Sequence, residues 1–151
     1  MIRVFIVDEI RLICDMLAIV LKDKLDIEVV GCATTVEEAI PQLSDCDVIL
    51  ATTTLPNDGA YKLTLMVAKN NLPAKVLIIG LAESREANIR YIEAGAAGYV
   101  QRQDSVDQLL ASIRALYNYE AIGSHNIAAA LMARLAQLAS SYMASPLRLE
   151  C

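Results

Sequence analysis

The chain has 151 residues, of which 56% are hydrophobic and 21% charged: enough for one domain with a sizeable core, and too apolar for a disordered segment. A formal net charge of −5 argues against nucleic-acid binding by this segment alone, since phosphate contacts need a basic face; DNA binding by a domain beyond residue 151 stays open. Cys14, Cys32, Cys46 and Cys151 lack CxxC spacing, which disfavours zinc and a disulfide framework; the first three read as buried apolar thiols in a reducing, cytoplasmic setting. Without signal-peptide architecture or a run of 18 uncharged apolar residues, no leader and no membrane span are expected.

In chain order, short β-branched runs alternate with helical patterns. Strands are expected at 3–7, 28–32, 48–51, 76–79 and 98–101, each nearly continuous in apolar residues, as suits parallel strands buried on both faces. The first helix, Arg11 to Lys24, places Leu12, Met16, Ile19, Val20 and Leu25 along its core stripe. Thr35 with Glu38 matches a capping box for the second. A third helix runs from about Ala60 to Asn71 and stops before Pro73; a fourth runs from about Ser84 to Ala94 with Gly95 as its left-handed cap. Asp104 or Ser105 caps a fifth that carries Val106, Leu109, Leu110, Ile113 and Leu116. Five βα repeats predict an α/β fold with a doubly wound, five-stranded parallel sheet, whose ligands bind at the carboxyl ends of the strands.

Asp8, Glu9, Thr52 and Gly80 fall at those ends. Two adjacent carboxylates beside a strand-end acceptor make up most of a magnesium-dependent phosphoryl-acceptor site. Thr52 stands where the acceptor carboxylate belongs, after the run Val48-Ile49-Leu50-Ala51. A threonine hydroxyl is a poor nucleophile without an adjacent base, and it offers no charge to a metal.

The segments Ile2-Arg3-Val4-Phe5-Ile6-Val7-Asp8-Glu9, Asp26-Ile27-Glu28-Val29-Val30-Gly31 and Glu93-Ala94-Gly95-Ala96-Ala97-Gly98-Tyr99-Val100, in this order, resemble the receiver domain of bacterial response regulators of the NarL/FixJ type. Leu55-Pro56 followed by Asp58-Gly59 matches the loop after the acceptor strand, one residue short. The resemblance covers residues 1–118 and implies the flavodoxin-like receiver fold. It places the magnesium-holding acidic pair on Asp8 and Glu9, the phosphoryl-accepting aspartate on Thr52 and the hydroxyl that bonds the phosphoryl group on Gly80. The paired lysine falls on Arg102 and the switch aromatic on Tyr99. Three of these positions depart from the family, which implies a degenerate pocket with weak or absent magnesium binding, no other cofactor and no enzymatic activity. Arg102 is expected either to offset Asp8 and Glu9 in magnesium's place or to point into water.

Residues 119–151 form a separate unit, in which an extra C-terminal helix is expected from about Ile127 to Met143. Its apolar stripe is Ile127, Leu131, Leu135 and Leu138, and Arg134 is the only formal charge between Ala121 and Pro146. The stripe serves either packing on its own domain or, as favoured here, a homodimer. His125, the only histidine, belongs to the turn or first helical turn. The expected function is phosphorylation-independent control of transcription as the N-terminal part of a longer protein, with DNA reached only through a downstream domain. The alternative is a stand-alone interaction module answering to a protein or small-molecule effector.

Overall fold

The structure, a computed structural model, describes residues 1–81, 85–101 and 104–118. Strands and helices alternate as β1 Ile2–Val7, α1 Arg11–Lys22, β2 Ile27–Ala33, α2 Val36–Ala39, β3 Val48–Thr52, α3 Gly59–Lys69, β4 Lys75–Leu81, α4 Arg85–Ala94, β5 Gly98–Gln101 and α5 Val106–Tyr117. Two 3₁₀ segments, Ile40–Asp45 and Pro56–Asp58, precede β3 and α3. The sheet order is β2-β1-β3-β4-β5, and every pairing is parallel. The winding reverses between β1 and β3, which opens a crevice at their carboxyl ends.

The alternation of side chains along the central strands divides the core in two. Phe5, Val7, Ile49 and Ala51 face the layer of α2, α3 and α4, whereas Val4, Ile6, Val48 and Leu50 face α1 and α5. All eight are 1% exposed or less, so β1 and β3 are covered on both faces, as their unbroken apolar runs require. Burying each Val, Leu or Ile side chain fully contributes about 1.5–3 kcal/mol.

Local signals place several boundaries. Thr35 Oγ1 accepts from the Glu38 N–H at 3.1 Å, while the Glu38 carboxylate accepts from Thr34 rather than from the cap residue itself. Pro41 follows α2 in the 3₁₀ segment, where an α-helix would lose a hydrogen bond. Of the two candidate caps of α5, Ser105 makes the reciprocal box with Gln108, while Asp104 accepts from the Gln101 N–H instead. Gly95, at φ +114°, ends α4 as expected. Ser84, the expected start of α4, lies outside the described residues.

The expected stripe on α1 is wrong in phase. Leu12, Met16, Ile19 and Leu25 are 65%, 53%, 70% and 95% exposed, and Val20 is half-buried. The face toward the sheet is Cys14 and Leu21, with Leu17 and Ala18 beside them. Both sets obey helical spacing, so periodicity alone fits either side of this helix.

Candidate functional site

The crevice brings the expected strand ends together. Val7 pairs with Ala51 and Thr52 with Ile79, so Asp8, Thr52 and Gly80 lie at the carboxyl ends of three neighbouring strands. Asp8 is buried, and its Oδ1 accepts from the Ile10 N–H at 2.8 Å in a turn leading to α1. Glu9, next to it, is exposed. Thr52 is 5% exposed and its hydroxyl lies 3.1 Å from that of Thr54. A buried hydroxyl satisfied by another hydroxyl, with no base bonded to it among the described residues, is not an activated nucleophile.

Gly80 has a physical role that its chemistry does not suggest. The β4–β5 register slips between Ile79 and Leu81, and Gly80 at this bulge adopts φ +88°. The Thr53 hydroxyl donates to its carbonyl at 3.0 Å, and a Cβ built at Gly80 would meet that same oxygen at 3.3 Å. The Thr53 N–H also donates to Ile79 at 3.0 Å. Two bonds from Thr53 thus pin the loop after β3 to the end of β4.

The donors do not fit a tightly held magnesium ion. Among the described residues they are one buried carboxylate with an oxygen already bonded, one exposed carboxylate and a neutral threonine hydroxyl, whereas hard cations select charged oxygens. Among the described residues no cluster of three or more His, Cys, Asp or Glu is suited to a metal.

A family model for the response regulator receiver domain matches residues 4–114. The chain belongs to that family. It is 27% identical over 120 residues to the response regulator UvrY of Escherichia coli K12, covering 78% of this chain and 55% of the relative, so it spans about half the length of that curated relative. A two-component response regulator of the LuxR family from Aurantimonas superposes with a TM-score of 0.77 at 22% identity, covering 89% of this chain and 97% of the other. A DNA-binding response regulator of the LuxR family from Staphylococcus aureus gives 0.71 at 14% identity, covering 78% and 99%. These two likenesses show the receiver fold.

In this receiver domain Tyr99 lies on β5, 6% exposed, within the core beneath α3 and α4. Burial pushes its phenol up in pKa, and a hydrogen bond from the Asn88 side chain of α4 opposes that shift. Asn88 is itself 8% exposed and its Oδ1 has no partner among the described residues.

Sequence reasoning missed one cluster beside the crevice. Arg90 of α4 forks onto both carboxylate oxygens of Asp58, one bond being 3.1 Å, and lies over the Tyr61 ring; Tyr61 in turn meets Tyr91 edge-on at 6.3 Å. The guanidinium holds the Asp58 carboxyl below its ordinary pKa. Asn57 and Asp58 both adopt left-handed backbone, at φ 58° and 60°, which turns Asp58 toward α4. Only the adjacency of α3 and α4 foretells a pair 32 residues apart.

Arg102 and the stripe Ile127, Leu131, Leu135 and Leu138 lie outside the described residues. Cys14 and Cys46 are buried thiols as expected, and Cys32 is half-buried. None of the helices among the described residues is long and apolar enough to cross a membrane.

Proposed function

We propose that this receiver domain regulates transcription without being phosphorylated, as the N-terminal part of a longer DNA-binding protein, and that it acts through homodimerisation assisted by its C-terminal segment. The observation that carries this reading is Thr52: the buried strand-end position beside Asp8 holds a hydroxyl bonded to Thr54, with no carboxylate to attack a phosphoryl donor. In this reading Asp8 and Glu9 are the remaining acidic pair, Gly80 supplies no hydroxyl and Arg102 keeps a cation where a lysine is usual. Tyr99 stays packed under α4. The likeness to a DNA-binding response regulator supports a nucleic-acid-binding partner domain, because the net charge of −5 makes this chain unsuited to that contact itself.

The test is incubation with magnesium and acetyl phosphate followed by intact mass. Unchanged mass is expected. A stable gain of one phosphoryl group overturns the reading.

A further inference from the structure

We propose that Cys14 and Cys32 form a modification site, where a hydroperoxide closes a reversible disulfide between α1 and β2 and where that change reaches the crevice through Asp8. The inference goes beyond the proposed function and does not depend on whether Thr52 accepts a phosphoryl group. Cys14 lies on the sheet face of α1, and Cys32 lies on the edge strand β2 in register with Ile6. The Cys14 Sγ is 3.5 Å from the Asp8 carbonyl and 3.7 Å from that of Ala33, and the Cys32 Sγ is 3.9 Å from the Cys14 carbonyl. The two thiols also hydrogen-bond each other. Sulfurs in contact across two packed elements can join with little movement of either backbone. Cys46 sits apart, in the opposite core layer, with its thiol on the Leu43 carbonyl at 3.3 Å.

Exposure assigns the roles. Cys14 is fully buried and Cys32 half-buried, so the oxidant meets Cys32 first. Burial pushes the Cys32 thiol up in pKa; the bond from Cys14 and the charge of Arg11 oppose that shift, and Asp15 adds to it. The net direction is upward, so the first step is slow and needs a sustained supply of a small oxidant such as hydrogen peroxide. The Cys32 thiolate attacks the O–O bond, which leaves Cys32 as its sulfenic acid and releases hydroxide that takes up the thiol proton as water. The Cys14 sulfur then displaces hydroxide from the Cys32 sulfur, and the Cys14 proton leaves with it as a second water. Two electrons pass from the sulfurs to the peroxide, and a thiol reductant reverses the bond. Closure removes the Cys14 S–H from the Asp8 and Ala33 carbonyls. The Ala33 carbonyl also accepts from the Asp8 N–H at 3.1 Å, and Asp8 Oδ1 holds the Ile10 N–H. The turn between β1 and α1, at the mouth of the crevice, therefore loses a tie when the disulfide forms.

The test treats the full 151-residue chain with hydrogen peroxide, blocks the remaining thiols and digests it without reductant. Trypsin with a glutamyl endopeptidase puts Cys14, Cys32 and Cys46 on separate peptides, 12–22, 29–37 and 39–62. Peptides 12–22 and 29–37 should appear joined, two hydrogens lighter than their sum, and should separate again after dithiothreitol. Failure of the two to join in wild type overturns the proposal, and so does either of them joined to 39–62 instead. Cys32→Ser should abolish the joined species and Cys46→Ser should leave it. Oxidation of Cys14 at the wild-type rate in Cys32→Ser would overturn the order of attack. Amide exchange at Asp8 and Ile10 should rise several-fold in the oxidised chain; unchanged exchange overturns the link to the crevice.

Discussion

Arg90 and Asp58 tie α4 to the loop after β3 by a two-pronged bond, with the guanidinium carbon 3.7 Å from the centroid of the Tyr61 ring. The pair joins the loop after β3 to the helix after β4. Both side chains are about half exposed, so the bond does more to fix the position of α4 than to stabilise the fold. In Arg90→Ala, amide exchange at residues 57–60 should rise several-fold while the melting temperature stays nearly unchanged. Unaltered exchange would show that the left-handed turn holds itself.

Restoring a hydroxyl at position 80 should harm the fold. Gly80→Ser places a Cβ on a backbone at φ +88° and within 3.3 Å of the Thr53 hydroxyl, at a cost of about 1–3 kcal/mol. Urea denaturation measures it. An unchanged midpoint would mean that the bulge relaxes without strain.

Thr52→Asp sets a second carboxylate next to buried Asp8, and like charges on neighbouring strand ends repel. The variant should lose about 1–3 kcal/mol in the absence of divalent cations. Millimolar magnesium should return most of that loss while leaving wild type unmoved. Thermal melts with and without magnesium decide it.

Much of the frame was legible because its signals are local. Thr35 with Glu38 and Gly95 act within one helical turn, the start of α5 was narrowed to Asp104 or Ser105, and the β-branched runs of β1 and β3 leave little choice but buried parallel strands. The phase of α1 was not legible, since Leu12-Met16-Ile19 and Cys14-Leu17-Leu21 both fit one helix. The Arg90–Asp58 and Arg114–Asp26 forks were invisible for another reason: they join residues 32 and 88 positions apart, with no pattern linking them. Gly80 was found as a chemical departure, yet its positive φ appears only once β4 and β5 are in register.

Stability should also fall in alkali through two buried thiols. Burial pushes Cys14 and Cys46 from 9.0 up to about 11. Between those values the unfolded chain has released the protons that the folded chain still binds, so folding weakens as pH rises from about 9 to about 11, then levels off. Cys46→Ala should flatten this decline in pH-dependent urea melts. An identical slope would assign the alkaline loss to other groups.

The central claim is a receiver domain whose assembly does not depend on phosphate. Light scattering of the full chain, with and without magnesium and acetyl phosphate, tests it most directly. The same dimer mass is expected in both conditions. A monomer that dimerises only when the phosphoryl donor is present would contradict it.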